Sequence, residues 1–247
     1  LWMKASVDGM RSMIYTAAMR ADLAAELPEG EEKEHHTNLV DFLTPIIKAH
    51  CSDMGFRVCE TAIQCLGGYG FCKDFPLEQY LRDAKIMSLY EGTNGIQSMD
   101  LLGRKMTHKN GAAFKAFQNE IKRFCDKNRE HSELGDKVRG LEGVANTLWE
   151  TAGELQKRKE SDPLQWASYT YPALTAFADI AMTWVLLDMA LIAYPYTEKK
   201  GKKNDFYRGK VLQATYYVDI TLPHTLATLE ICQRNSREIV VVQDNAF

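Results

Sequence analysis

The sequence lacks the cysteine spacings of metal-binding and disulfide-rich proteins. Its six cysteines include no C-x-x-C pair, so they indicate neither a zinc framework nor a disulfide scaffold. We expect them to be buried or partly buried thiols in a reducing compartment. The cysteines stand at positions 51, 59, 65, 72, 125 and 232.

A concentration of positive charge is also missing. The net charge is -3, and no basic stripe alternates with aromatic residues, which argues against nucleic acid as a partner. The hydrophobic and charged fractions, 45% and 26%, are typical of a soluble globular protein. A chain of 247 residues can form one large or two small hydrophobic cores.

The chain does not open with a secretory signal. Leu1-Trp2-Met3-Lys4 runs directly into an amphipathic pattern, so we expect a fragment of a longer protein that begins near the start of a helix. The most apolar stretch, Ala173 to Tyr194, is long enough to span a membrane. It contains Asp179 and Asp188, which are costly at a bilayer centre, so a buried bundle helix is predicted instead of a membrane span.

Strand patterns are nearly absent, and helical periodicity dominates. Apolar residues recur every three or four positions from Met10 to Ala24, and Leu27-Pro28-Glu29-Gly30 ends this helix. The acidic run Glu31 to Glu34 predicts a solvated loop before a second helix at about 39–66. Pro45 either opens the main part of that helix, with Thr44 as its cap, or kinks it. Further helices are predicted at about 77–89, 96–106, 112–128, 133–160, 163–194 and 205–236, with a basic loop at 199–203 and a domain boundary near 107–111.

The first candidate site is the glycine-rich stretch from Gln64 to Phe71. Its glycines Gly67, Gly68 and Gly70 allow a sharp turn and the close approach of another group, and exposed peptide N–H groups there could hold a phosphate. A plain glycine C-cap is the alternative, and for this stretch alone it is the better interpretation.

The second candidate site is a carboxylate on a short glycine-containing link between two helices. The segment Arg82 to Ile86 is followed by Tyr90-Glu91-Gly92-Thr93 and continues to Gln97. Gly92 allows a ligand to come close, and Tyr90 offers an aromatic wall. Desolvation by a ligand would make such a carboxylate a useful general base. The alternative is a surface glutamate on a turn, with Thr93 or Asn94 capping the next helix.

Together these segments, with Lys48-Ala49 upstream, resemble the acyl-CoA dehydrogenase signature in order and spacing. The resemblance covers about residues 1–106 and implies an all-α fold, an up-and-down four-helix bundle that is the C-terminal domain of that family. Residues 107–247 resemble the helical extension of longer members, and they predict a second helical bundle. Thr44-Pro45, Asn94-Gly95 and the stretch 206–210 are similar to the 3-methylmercaptopropionyl-CoA dehydrogenase-like subgroup.

The resemblance implies a flavoenzyme that converts an acyl-CoA thioester to its trans-2-enoyl form. Glu91 matches the glutamate that removes the proton next to the thioester carbonyl, and its backbone N–H is expected to help bind the thioester oxygen. Tyr90 and Gly92 are expected to contact the substrate. Thr93 matches a threonine that contacts FAD beside the base. Many members have a glutamine two positions after that threonine; Gly95 stands there in this chain.

The resemblance also implies a shared flavin site. Gln64, Gly67 and Gly68 match the stretch that touches the FAD of a neighbouring subunit, so a homo-oligomer, a dimer or a tetramer, is expected. An electron-transfer flavoprotein is the expected acceptor. The arginine and phenylalanine that hold the flavin pyrophosphate in the family are absent from this chain, as is the β-domain. We therefore predict that the chain alone binds FAD weakly or not at all and is inactive.

Other interpretations remain open. An acyl-CoA oxidase would share the base, and a non-catalytic helical assembly module would share the fold. The expected location is the cytoplasm for a bacterial protein and the mitochondrial matrix for a eukaryotic one. His35-His36 is predicted to lie in a solvated loop and not to bind a metal. The signature residues Arg82, Asp83 and Lys85 are interpreted as structural ion-pairing groups.

Overall fold

A computed structural model describes residues 1–198, 202–234 and 236–246 of the chain. Among those residues every regular secondary-structure element is a helix, which confirms the all-α prediction. Lys199, Lys200 and Gly201 of the predicted basic loop lie outside the described residues. The main helices are α1 (Trp2–Glu26), α2 (Glu31–Leu66), α3 (Gly68–Phe71), α4 (Leu77–Ile86), α5 (Asn94–Met99), α6 (His108–Asn128), α7 (Gly135–Ser161), α8 (Pro163–Ala193), α9 (Lys202–Gln233) and α10 (Glu238–Val241).

Helix α2 begins earlier than the sequence suggested. The acidic run predicted as a loop forms its first turn, where Glu31, Glu32 and Glu34 face the positive end of the helix dipole. The prediction of a loop at His35-His36 is therefore wrong as well. His36 is buried, and its Nδ1 lies 3.3 Å from the Arg20 guanidinium of α1. His35 Nε2 lies 3.2 Å from a Glu120 carboxylate oxygen on α6.

Pro45 lies inside the 36-residue helix α2 and does not open it. Thr44 is not a cap, because its hydroxyl donates a hydrogen bond to the Val40 carbonyl one turn earlier. The proline ring is buried. Helix α2 thus runs from a contact with α1 and α6 to the glycine turn at Gly67, and it passes the predicted catalytic loop on the way.

A change of helix type marks the end of the first half of the chain. After α5, residues Asp100–Lys105 form a π-helix. Lys159 of α7 donates to the Gly103 carbonyl of this segment at 2.8 Å. Lys109, Asn110 and Gly111 then adopt left-handed φ angles of 48°, 56° and 73°. The predicted domain boundary falls at this turn.

One apolar core extends across that turn. Phe42 of α2 stacks on Phe117 of α6 with ring centroids 5.2 Å apart, and it meets Phe177 of α8 edge-on at 5.4 Å. Trp149 of α7 meets Phe117 edge-on, with ring centroids 5.8 Å apart. The two halves of the chain are therefore packed together around a shared aromatic centre.

Helix α8 is the most apolar helix described. It is long and apolar enough to cross a membrane, but 72% of its most apolar window is buried inside the protein. It packs against α1, α5, α7 and α9. Asp162 caps its start by accepting a hydrogen bond from the Gln165 backbone N–H at 3.3 Å, and Pro163 stands in the first turn, where proline is favoured.

Candidate active site

The predicted base lies on the loop between α4 and α5. Glu91 and Gly92 have φ angles of +56° and +83°, in the left-handed region. Glycine adopts this region freely, but a residue with a side chain does so at a cost of about 1–3 kcal/mol. The carboxylate of Glu91 is exposed. Residues held in such sparsely populated backbone conformations cluster at functional sites.

The start of α5 holds one end of this loop. Thr93 is the N-cap, because its hydroxyl oxygen accepts a hydrogen bond from the Ile96 backbone N–H at 3.3 Å. Gln97, one turn into α5, donates from Nε2 to the Glu91 carbonyl at 3.0 Å. The helix therefore supports the loop both at its cap and through the side chain of Gln97.

Helix α2 holds the other side of the loop. Lys48 donates from Nζ to the Gly92 carbonyl at 2.6 Å and to Asn94 Oδ1 at 3.1 Å. Asn94 is buried and in turn donates from Nδ2 to the Ala49 carbonyl at 3.2 Å and to Ser52 Oγ at 3.0 Å. This network connects the loop to two successive turns of α2.

A small apolar pocket of about 360 Å³ opens beside Glu91. Tyr90 lies on its wall, and the Tyr90 hydroxyl donates to Met87 Sδ at 3.0 Å. Burial raises the pKa of Cys51, another wall residue, to about 12, so that this thiol stays neutral. The lining residues are Ile47, Lys48, Cys51, Ser52, Met87, Tyr90 and Glu91.

The glycine-rich candidate lies elsewhere on the chain. Gln64, Gly67 and Gly68 are exposed at the C-terminal end of α2, and Gly67 has a φ of +58°. Lys48 and Gln64 are 16 positions apart on one helix, so about 24 Å of helix separates the two candidate regions. The structure brings Tyr90, Glu91, Gly92 and Thr93 together beside the middle of α2, and it places the glycine turn at the C-terminal end of that helix.

Gly70 is required by packing at that turn. A Cβ added there would lie 2.4 Å from the Ile63 carbonyl oxygen, which is too close for any side chain. Nothing lies within 4 Å of a Cβ added at Gly68, so the backbone at Gly68 is open to approach. Tyr69 and Phe71, on either side of Gly70, are 71% and 83% exposed.

The interpretation of Arg82, Asp83 and Lys85 as ion-pairing groups is wrong for the structure described. All three are exposed, and none makes an ion pair with another described residue. The Lys85 ammonium instead lies 5.6 Å from the centre of the Phe56 ring. These residues line a shallow apolar depression between α2 and α4.

Two family models match this chain, one in each half. Residues 2–106 match the model described as acyl-CoA dehydrogenase, C-terminal domain. Residues 117–243 match the model described as acetyl-CoA dehydrogenase C-terminal like. The chain therefore belongs to the acyl-CoA dehydrogenase family, and the resemblance of its motifs is confirmed.

Three named acyl-CoA dehydrogenases are similar to this chain over most of its length. A butyryl-CoA dehydrogenase of Syntrophomonas wolfei is 28% identical over 100% of this chain and 41% of its own length. The broad-specificity linear acyl-CoA dehydrogenase FadE5 of Mycobacterium tuberculosis is 29% identical over 99% of this chain and 41% of its own length. The 3-methylmercaptopropionyl-CoA dehydrogenase of Ruegeria pomeroyi is 27% identical over 90% of this chain and 38% of its own length. The chain thus spans about two fifths of the length of the curated relatives that it matches.

Solved structures share the fold. Caenorhabditis elegans ACDH-11 in complex with C11-CoA superimposes with a TM-score of 0.74 at 18% identity, over 98% of this chain and 39% of the other. A Bacillus anthracis acyl-CoA dehydrogenase complexed with FAD gives a TM-score of 0.66 at 17% identity, over 98% of this chain and 41% of the other.

Proposed function

We propose that this chain is the C-terminal, flavin-facing part of an FAD-dependent acyl-CoA dehydrogenase in which Glu91 removes the substrate proton. The substrate is an acyl-CoA thioester and the product is its trans-2-enoyl form. The observation that carries the proposal is the position of Glu91, an exposed carboxylate held on a left-handed turn beside an apolar pocket.

The geometry of the loop suits proton abstraction next to a carbonyl group. Such a proton is weakly acidic, so the base must be fixed beside it while the carbonyl oxygen is polarised. Gln97 fixes the Glu91 carbonyl, and Lys48 fixes the Gly92 carbonyl. The Glu91 backbone N–H is the proposed donor to the thioester oxygen. Tyr90 and Gly92 are the proposed substrate contacts, because Tyr90 lines the pocket and Gly92 has no side chain to obstruct it.

The residues proposed to hold FAD fit that role. Thr93 is exposed, and its hydroxyl hydrogen is free to donate while its oxygen caps α5. The open backbone at Gly68 can accept a large planar or phosphate-bearing group at close range. When bound, the flavin supplies the acceptor for the hydride that leaves the substrate.

A shared flavin site, which the family resemblance implies, is compatible with the distance between the two regions. About 24 Å of helix α2 separates Lys48, beside the Glu91 loop, from Gln64 at the glycine turn. We infer that Thr93 contacts the FAD of its own subunit, and that Gln64, Gly67 and Gly68 contact the FAD of a neighbour. A homo-oligomer, a dimer or a tetramer, is therefore proposed, with an electron-transfer flavoprotein as the acceptor. The isolated chain is expected to bind FAD weakly or not at all and to be inactive.

Two alternatives can be separated from this proposal by experiment. An acyl-CoA oxidase would use Glu91 in the same way but pass its electrons to oxygen, so its reduced flavin would reoxidise rapidly in air. A helical assembly module would neither bind thioester nor reduce flavin. The exposed carboxylate on a strained turn favours an enzyme, because a scaffold gains nothing from that strain.

The test uses the full-length protein that contains this chain. Wild type, Glu91→Gln and Glu60→Gln are mixed without oxygen with a panel of acyl-CoAs, and the flavin absorbance is followed. Glu60 is an exposed residue of α2 and serves as the matched control. We expect wild type and Glu60→Gln to bleach, and Glu91→Gln to keep its FAD but lose bleaching. Equal bleaching in all three would place the base elsewhere, and no bleaching with any thioester would favour the assembly module.

A further inference from the structure

Lys48 is a half-buried residue near the middle of α2. Its ammonium group reaches from α2 to the loop of the proposed base, 43 positions further along the chain. It donates to the Gly92 carbonyl at 2.6 Å and to Asn94 Oδ1 at 3.1 Å. The side chain is half-buried and lies on the wall of the same apolar pocket as Glu91.

The partners of this ammonium group are neutral. Lys105 and Lys210, which also reach another helix, pair with carboxylates of Asp41 and Asp8, whereas Lys159, like Lys48, donates to a backbone carbonyl. Lys48 forms no ion pair with any residue in the described part of the chain. An ammonium group held by neutral acceptors keeps a charge that no carboxylate compensates, which costs free energy when the group is removed from water. Among the described residues, Glu91 is the only carboxylate that lines this pocket.

The hydrogen bonds to the loop determine where its backbone points. Gln97 binds the Glu91 carbonyl, and Lys48 binds the Gly92 carbonyl. In a planar trans peptide the following N–H points away from the carbonyl. The N–H of Gly92 is therefore turned away from Gln97, and the N–H of Thr93 is turned away from Lys48. The left-handed φ angles of Glu91 and Gly92 are compatible with this arrangement, and the two hydrogen bonds offset their strain.

We propose that Lys48 is a positioning residue for the dehydrogenation: it holds the Glu91 loop in its reactive conformation through the Gly92 carbonyl and keeps a positive charge beside the reaction. This inference rests on the proposed function. Charge-assisted hydrogen bonds are about twice as strong as neutral ones, so an ammonium group suits a loop that must stay strained. Asn94 assists by holding the Lys48 ammonium from the buried side.

The experiment uses the full-length holoenzyme and measures the rate of flavin reduction by an acyl-CoA without oxygen, over a range of substrate concentrations. Lys48→Met removes the ammonium but retains an aliphatic side chain in the pocket. Lys122→Met, at an exposed position of α6, is the matched control. Lys48→Cys treated with 2-bromoethylamine restores an ammonium at nearly the original reach. Wild type treated in the same way corrects for alkylation of the exposed Cys65 and Cys72.

We expect Lys48→Met to reduce the limiting rate of flavin reduction about 10- to 100-fold, as a misplaced reacting group does. The substrate dissociation constant should change much less and FAD should remain bound. The Tm should fall only slightly below that of Lys122→Met, because two hydrogen bonds to the loop are lost. Aminoethylation of Lys48→Cys should restore most of the lost rate, whereas untreated Lys48→Cys should stay slow.

Each other outcome has a distinct meaning. If wild type itself reduces no flavin, the proposed function fails, and the inference about Lys48 fails with it. If wild type is active and Lys48→Met is equally fast, the inference alone is overturned. It is also overturned if Lys48→Met loses FAD or stability in proportion to its rate, or if aminoethylation restores stability without restoring the rate, since Lys48 would then have only a structural role.

Discussion

At the scale of single residues, the backbone of Glu91 and Gly92 makes the clearest link between conformation and proposed chemistry. Both residues lie in the left-handed region, which glycine adopts without strain and other residues adopt at a cost. The peptide carbonyls of both are hydrogen-bonded to side chains from other positions, Gln97 and Lys48. The loop is therefore strained at two neighbouring residues and supported at the same two residues.

Gly92→Ala tests whether this conformation is needed. A Cβ at position 92 would lie 2.9 Å from Gln97 Nε2, and the φ of +83° would be strained for alanine. We expect the free energy of unfolding to fall by about 1–3 kcal/mol, and flavin reduction in the full-length protein to slow strongly. Denaturant unfolding and anaerobic reduction measure the two effects.

The control for that substitution is Gly95→Ala, three positions away within α5. The nearest atom to a Cβ there is Thr93 Oγ1 at 3.9 Å, and its φ is not in the left-handed region. Alanine is favoured over glycine inside a helix by about 1 kcal/mol, so this variant should be unchanged or slightly more stable. Equal behaviour of the two variants would show that the left-handed turn at Gly92 has no special importance.

At the scale of helices, much of the fold was predictable from local pattern. The spacing of apolar residues identified α1, α7 and α8, and Asp162-Pro163 marked the start of α8. The start of α2 was missed, because a run of glutamates is equally typical of a loop and of a first helical turn. In the structure these glutamates form the first turn of α2, where the helix dipole favours acidic side chains.

The site was predictable only where its residues are adjacent in the chain. Tyr90, Glu91, Gly92 and Thr93 form one motif, so the sequence could identify them together. The contacts that hold the motif come from Lys48 and Ser52 on another helix. No periodicity or spacing within the sequence predicts a hydrogen bond across 44 positions, because that contact depends on how α2 packs against the loop.

The contact between α8 and α9 contains a carboxylate whose burial should make stability depend on pH. Burial raises the pKa of Asp179 to about 7, although a hydrogen bond from the Thr225 hydroxyl at 2.9 Å opposes the shift. The folded protein therefore holds a proton here that the unfolded chain releases near pH 4. The contribution of Asp179 to stability is greatest below pH 4 and is lost as pH rises from about 4 to 7.

Asp179→Asn tests this prediction. The amide is neutral at every pH and can still accept from Thr225, so we expect it to match wild type near pH 4 and to be more stable at pH 8. The gain should be at most about 4 kcal/mol, because a shift of one pKa unit corresponds to about 1.4 kcal/mol. Asp22→Asn, at an exposed position of α1, is the control and should show no such trend. A pH-independent difference between Asp179→Asn and wild type would contradict the prediction.

At the scale of the whole molecule, the residues that form the shared hydrophobic core differ from the residues proposed to contact flavin. The aromatic core joins α2, α6, α7 and α8, so both halves are packed against each other. The proposed flavin contacts instead lie beside two parts of α2. Thr93 follows Gly92, which contacts Lys48 near the middle of the helix, and the glycine turn lies at its C-terminal end, about 24 Å away. A helix this long can have its middle beside the cofactor of its own subunit and its C-terminal end beside the cofactor of a neighbouring subunit.

Subunit complementation tests this shared arrangement in the full-length enzyme. Glu91→Gln removes the proposed base. Gly68→Leu should obstruct the neighbour's cofactor without disturbing the fold, since a Cβ at position 68 meets no atom within 4 Å. Each variant alone should be inactive. The mixed dimer, co-expressed with two affinity tags, should regain about half of the wild-type activity, because in a two-fold dimer one of its two sites would combine an intact Glu91 with an intact Gly68 of the other chain.

The result distinguishes a shared site from a site contained in one chain. If Glu91 and Gly68 served the same cofactor within one subunit, each subunit of the mixed dimer would carry one defect, and no activity would return. Gly143→Leu is the control for the added side chain, because a Cβ at position 143 also meets no atom within 4 Å and this residue lies on α7. A dimer in which Gly143→Leu replaces Gly68→Leu should have the activity of its Glu91-containing subunit whichever arrangement holds, so only the Gly68→Leu mixture reports on the position of the flavin between two chains.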